Sequence, residues 1–200
     1  DCRIPVGIIT KDALVTRDIV LLCELAHFDA SLVVVSLTSL DSDLAGKLEP
    51  RASRPMARLQ AIRELSEAGI PVGVSLAPII PGLNDHEIPA IMEAAADHGA
   101  GFASGTILRL PYCVGDLFSS WLEQYFPARK ELVLGRIREL RGGALNDSRF
   151  GVRMSGTGPL AAQIQQLIAV SKRRSGLESP RNSLNTGAFL RRMPGQLELF

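Results

Sequence analysis

Apolar residues fall in two alternating textures along this chain. Short continuous runs such as Val6-Gly7-Ile8-Ile9, Leu32-Val33-Val34-Val35 and Val72-Gly73-Val74 have the length of strands. An unbroken apolar run reads as a strand buried on both faces. Between the runs, apolar positions recur at spacings of three and four, as in Met56, Leu59, Ile62 and Leu65, the stripe of an amphipathic helix. The pattern predicts strands at Val6–Thr10, 32–37, 72–77 and 101–108, and helices at 16–27, 54–68 and 85–98. Ser53 and either Asn84 or Asp85 are read as helix N-caps, with Gly69 and Gly99 as stops. Strands alternating with helices imply an α/β fold with a parallel sheet. Four such steps are too few for a closed eight-stranded barrel and enough for the second half of a partial one. In two segments, 31–54 and 70–85, an apolar run ends in a polar turn that launches a helix. Both turns then lie on the rim formed by the carboxyl ends of the strands, where parallel sheets place their chemistry.

After the fourth strand the texture changes. Val114–Tyr125 and 128–141 read as helices separated at Pro127, and Gly142-Gly143 marks a turn. A polar, glycine-rich connection follows, and Pro159 suits the first turn of a helix ending near Arg174. From 178 to 194 the sequence is rich in Ser, Asn, Pro and Arg and is read as a flexible tail. Three regions result: a partial barrel over 1–112, a helical extension over 113–175 and a tail over 176–200. The chain enters a strand-like run within a few residues of Asp1 and is read as the C-terminal part of a longer protein.

Composition narrows the class. With 46% apolar and 5% aromatic residues, the chain has the profile of an ordinary α/β protein, and no apolar run approaches membrane-spanning length. The net charge of +1 is unevenly spread: the last 30 residues carry +4, which leaves −3 on the rest. A basic tail can contact nucleic acid, and a solvated linker has the same bias. Cys2, Cys23 and Cys113 are odd in number and far apart, which excludes a disulfide framework or a cluster built from them alone and points to a reducing cytoplasm. Cys23 and His27 lie four apart on a helix, as a metal-binding pair or as packing residues.

Several strand ends carry a family resemblance. Thr10-Lys11, Val35-Ser36, Glu49-Pro50-Arg51-Ala52-Ser53 and Val74-Ser75-Leu76-Ala77-Pro78-Ile79 resemble the strand ends of spore photoproduct lyase and its relatives, the DNA repair photolyase group of radical S-adenosylmethionine (radical SAM) proteins. Leu108-Arg109-Leu110-Pro111, Asp147-Ser148-Arg149-Phe150-Gly151 and Gly156-Thr157-Gly158-Pro159 are similar to a branch of that group.

The resemblance implies a partial (β/α)6 barrel whose first strands, with their CxxxCxxC loop for a [4Fe–4S] cluster, are absent here. In that family the cluster reduces and cleaves SAM to a 5′-deoxyadenosyl radical, which this chain alone is not expected to do. It further implies cofactor-binding roles. Lys11 would face the SAM carboxylate, Ser36 a polar cofactor group, the Ala77 backbone the adenine edge and Ile79 the adenine face. The plainer alternatives are a solvated lysine at a strand end and a buried hydroxyl bonded to backbone. Arg51 and Arg109 belong to the same rim, where a guanidinium can grip a carboxylate or a phosphate; Arg51 can equally pair with Glu49 or a helix end. Cys113 follows the fourth strand and is a candidate hydrogen-atom donor to a carbon radical, or simply a loop cysteine.

The terminal Gln196-Leu197-Glu198-Leu199-Phe200 resembles the pentapeptide with which bacterial polymerases and repair proteins engage the sliding clamp. Its alternative is an apolar patch against the chain's own domain. The expected function is a radical SAM, DNA-repair-lyase type of chemistry on nucleic acid. Its rival is a non-catalytic scaffold that binds a replication partner through the tail. A phosphate-binding (β/α)8 enzyme is disfavoured, because no glycine-rich phosphate loop follows the fourth strand.

Overall fold

The computed structural model describes residues 2–178 and 183–190. Four parallel strands form one sheet in the order of the chain: β1 (Val6–Thr10), β2 (Ser31–Ser36), β3 (Val72–Ile79) and β4 (Phe102–Ile107). Between them run α1 (Ile19–Ala26), α2 (Ser42–Leu48), α3 (Pro55–Glu67) and α4 (Ile88–Asp97). This is the expected parallel α/β architecture, an open sheet with helices packed on it.

The main core lies between the helices and one face of the sheet. Val33, Val35, Val72, Val74, Ala103 and Ile107 point to that face and meet Leu59, Ile62, Leu65, Ile91 and Met92 of α3 and α4. Residues of intervening parity, including Leu32, Val34 and Phe102, point to the opposite, concave face, where Leu184 covers them. β2 is buried throughout because it is central and covered on both sides.

Three local expectations need correction. Ser53 does not cap α3, whose N-cap is Arg54 and whose first turn starts with Pro55. The Ser53 hydroxyl instead accepts from Ala13 N at 2.9 Å and donates to Asp12 Oδ1 at 2.7 Å, tying the end of β1 to the loop before α3. Asn84 is a buried staple rather than a cap: its Oδ1 accepts from Ile80 N at 2.6 Å and its Nδ2 donates to Thr38 O at 2.8 Å. The segment 16–27 is a 3-10 turn, Ala13–Asp18, followed by α1.

Beyond the sheet come α5 (Val114–Tyr125), α6 (Lys130–Leu140) and α7 (Gly158–Arg174). α5 and α6 build a second core with Leu44, Ile80, Leu83 and Leu110, so this pair covers one side of the strand-end rim. Trp121 stacks on Phe118 at 5.6 Å and donates to Lys47 O at 3.1 Å, fixing α5 against α2. α7 is part of the main core rather than of a separate extension, with Ala161, Ile164 and Ile168 buried there. Residues 183–190, expected in the flexible tail, dock under the sheet: Asn185 N donates to Asp29 O and Leu190 N to Cys2 O, both at 2.9 Å. Among the described residues, no helix is long and apolar enough to cross a membrane.

Candidate functional site

Strand register determines what faces the concave side of the rim. Ser36 of β2 lies opposite Ser75 of β3, and Ser75 opposite Ser104 of β4. Thr10 of β1 pairs with Val35, so the next step of the ladder brings Lys11 to the level of Ser36. One row of the sheet therefore carries an ammonium and three hydroxyls. The row beneath it is Ile9, Val34, Gly73 and Phe102. Gly73 is required there because a Cβ would sit 2.3 Å from the Phe102 ring, which lies across it. The ring seals the floor, and the hydroxyl row lies two residues further along the strands on the same face, at the ends of β1 and β2 and midway along β3 and β4.

Beside this row a buried carboxylate ties the ends of β1 and β2 to α3. Glu49 Oε1 accepts from Lys11 Nζ at 2.6 Å and from Thr38 Oγ1 at 2.7 Å, while Oε2 accepts from Arg58 at 2.6 Å. Arg58 is only 1% exposed, and its other nitrogens donate to Ser53 O at 2.7 Å and Ser36 O at 2.9 Å. Burial is the largest single influence on the Glu49 carboxyl and raises its pKa. The hydrogen bonds from Lys11, Thr38 and Arg58 and the Arg58 charge outweigh it, so the net shift is downward. Glu49 is thus held ionised. It also holds Lys11 upright at the rim, and an ammonium with three donors keeps others free after one bond. On the far side Ser39 Oγ donates to Glu87 Oε1 at 2.7 Å and Leu40 N to Glu87 Oε2 at 2.8 Å, fixing the turn after β2.

The β4 end of the rim differs. Arg109 follows β4, and Arg141 at the end of α6 donates to Leu108 O at 2.9 Å and Val152 O at 3.1 Å. Arg141 therefore stitches the strand end to the glycine-rich connection. Asp147 is held at about 2 by the Arg149 guanidinium, with help from the Arg149 backbone N–H. The Asp147-to-Phe150 segment is a self-contained turn rather than a free acid.

The sequence-derived candidates separate on this geometry. Lys11 and Ser36 share the hydroxyl row. The Ala77 carbonyl lies 3.2 Å from Thr38 Oγ1, at the same rim. The Ile79 side chain belongs to the main core at 2% exposure, near Gly105 and Ile168 on the helix side of the sheet. Arg51 is exposed on the loop after α2, and the partners of Glu49 are Lys11 and Arg58 instead. Cys113 is exposed at the N-terminus of α5. Gln196, Leu197, Leu199 and Phe200 lie outside the described residues. Cys23 Sγ donates to Ala68 O at 3.1 Å, and His27 Nδ1 sits 2.7 Å from Cys23 O, so this pair serves packing.

Sequence reasoning missed Ser75, Ser104, Arg58 and Arg141. The serines needed register, which a sequence does not print. The arginines had a signal: Arg58 falls on the buried stripe with Ile62 and Leu65, and Arg141 on the stripe with Leu134 and Ile137.

The chain's N-terminal half, residues 1–95, matches the family model of the Radical SAM superfamily. The match takes in β1, β2 and β3 and hence Lys11, Ser36, Glu49 and Ser75. The chain is 38% identical over 104 residues to an uncharacterized protein of Acidianus two-tailed virus, an alignment covering 50% of this chain and 34% of that protein. It is 32% identical over 163 residues to an uncharacterized protein of Mycobacterium tuberculosis H37Rv, covering 80% of this chain and 47% of that one. The chain thus spans less than half the length of these relatives. Among the described residues no three His, Cys, Asp or Glu side chains are grouped to hold a metal. The rim does fit the polar half of SAM, for it offers an ammonium and a line of hydroxyls above an apolar floor.

Proposed function

We propose that this chain forms part of a cytoplasmic radical SAM enzyme of the spore photoproduct lyase type, acting on nucleic acid. The observation that supports it most is the row of Lys11, Ser36, Ser75 and Ser104 across four parallel strands, at the carboxyl ends of β1 and β2 and midway along β3 and β4, within and beside the matched region. SAM bound beside a reduced [4Fe–4S] cluster supplies one-electron, hydrogen-abstracting chemistry. The chain's own residues do the holding. Lys11, oriented by Glu49, donates to the amino-acid carboxylate; Ser36 and Ser75 offer hydroxyls to polar cofactor groups; the Phe102 floor excludes water from below. Cys113, exposed at the start of α5, is the candidate hydrogen-atom donor in this reading. The cluster donors come from elsewhere in the protein.

A SAM titration tests this directly. Lys11→Ala is expected to weaken SAM binding about tenfold to a hundredfold, the scale of a lost charge-assisted hydrogen bond of about 1.5–3 kcal/mol. Unchanged affinity in a variant with a native circular dichroism spectrum overturns the assignment.

The terminal Gln196–Phe200 motif adds a partner to this reading, the bacterial sliding clamp. A synthetic peptide of residues 191–200 is expected to bind the clamp with micromolar affinity, about −8 kcal/mol. Replacing Leu199 and Phe200 by Ala abolishes binding if those side chains fill the clamp's apolar pocket. No binding by the unmodified peptide removes the partner.

A further inference from the structure

Arg109 and Arg141 bring two cations to the β4 end, and neither guanidinium is in direct contact with a carboxylate among the described residues. Arg141 is 4% exposed, and its two terminal nitrogens are spent on the neutral carbonyls of Leu108 and Val152. Its Nε is buried without a partner, and so is the Nε of Arg109. Neither guanidinium has a carboxylate within 4 Å among the described residues. The nearest acid that acts on Arg141 is Asp147, already forked onto Arg149. The other side-chain contact of Arg109 is a 3.9 Å approach to Met154 Sδ, a thioether and a poor acceptor. Burial pulls the pKa of Arg141 down; the Asp147 charge opposes this and the like charge of Arg109 adds to it, with a net downward shift. A buried guanidinium nitrogen without an acceptor is costly, and an oxyanion bound beside the two arginines adds counter-charge that the shared Asp147 supplies only in part.

From this arrangement we infer that Arg109 and Arg141 form a phosphate-binding subsite at the end of β4, with Arg109 contacting the oxyanion and Arg141 supplying charge from beneath. The anion replaces Met154 Sδ as the acceptor for Arg109. Bidentate guanidinium recognition suits a planar pair of phosphate oxygens. The subsite itself rests on the arginine geometry alone. Its assignment to a backbone phosphodiester of the substrate rests on the nucleic-acid reading above.

The test is a titration of the arginine Nε–Hε signals by NMR at low ionic strength. Two probes are used separately, inorganic phosphate and the dinucleotide thymidylyl-(3′→5′)-thymidine. Both are expected to shift the Arg109 and Arg141 signals saturably, and Arg109→Gln is expected to weaken both affinities at least tenfold. Arg141→Lys keeps one charge and a donor, and is expected to fold and bind with reduced affinity. If phosphate binds at these arginines and the dinucleotide does not, the subsite stands and the nucleic-acid assignment falls. If the dinucleotide perturbs Arg51 but not Arg109 and Arg141, the nucleic-acid reading survives and the subsite is wrong. No saturable shift with either probe overturns the inference.

Discussion

Arg58, in the first turn of α3, and Arg141, the C-cap of α6, both continue the buried stripes of their helices yet meet opposite surroundings. Each bonds two backbone carbonyls that belong to strand ends or the loops beside them. Arg58 also finds Glu49, so every nitrogen type in its guanidinium has an acceptor and its charge is matched. Arg141 finds no such acid, and its Nε is left unpaired. The β1–β3 side of the rim is therefore electrostatically closed, a scaffold that orients Lys11 and the serine row. The β4 side is open to an anion. Structure and recognition are divided between the two ends of one sheet, and the division follows from where carboxylates were placed.

The largest effect should come from breaking the closed side. Glu49→Gln leaves the Arg58 charge buried and unpaired, and is expected to destabilise the fold by about 3–5 kcal/mol in urea denaturation. A loss near zero would mean that water reaches Arg58 and the side is not closed. The corresponding change on the open side, Arg141→Gln, removes bonds to two carbonyls without stranding a partner charge. It is expected to cost about 1–3 kcal/mol in the same assay. Equal losses for the two variants would erase the distinction between the sites.

Phosphate sharpens the contrast. At a tenfold excess over its dissociation constant, phosphate should stabilise the wild-type chain by about 1.4 kcal/mol and Arg109→Gln by about 0.4 kcal/mol or less. Acid should act on the other side. The folded Glu49 carboxyl lies below its ordinary value of 4.5, so its contribution is complete above that value and is lost as pH falls through the lower, folded one. The gap in stability between wild type and Glu49→Gln is expected to be full at pH 7 and to close in acid below pH about 4. A gap that grows in acid would reverse the assigned direction. The smallest effect belongs to Arg149→Ala: the Arg149 side chain is 70% exposed, and its loss is expected to cost at most about 1 kcal/mol in the same assay.

Much of the scaffold was legible in the sequence. The strands over Val6–Thr10, 32–37, 72–77 and 101–108 appeared within a residue or two of β1 to β4, because buried parallel strands are unbroken apolar runs. The helix α2 escaped notice, for seven residues including Gly46 carry too little periodicity. Ser53 and Asn84 were legible as polar residues before helices but not as what they are, since a side chain that can cap a helix can equally bind a neighbouring loop. Lys11 and Ser36 could be named from resemblance, while Ser75 and Ser104 could not, because the row exists only once β2, β3 and β4 are in register. Arg58 and Arg141 were hidden by the habit of placing helical arginines in solvent, although their spacing with Ile62 and Ile137 put them on the inner stripe.

The most direct measurement of the central claim is reductive SAM cleavage by the complete protein that carries this chain. After anaerobic reconstitution with iron and sulfide, addition of SAM and dithionite is expected to release 5′-deoxyadenosine, detected by chromatography. A reconstituted protein that binds a cluster and yields no 5′-deoxyadenosine would contradict the radical SAM account.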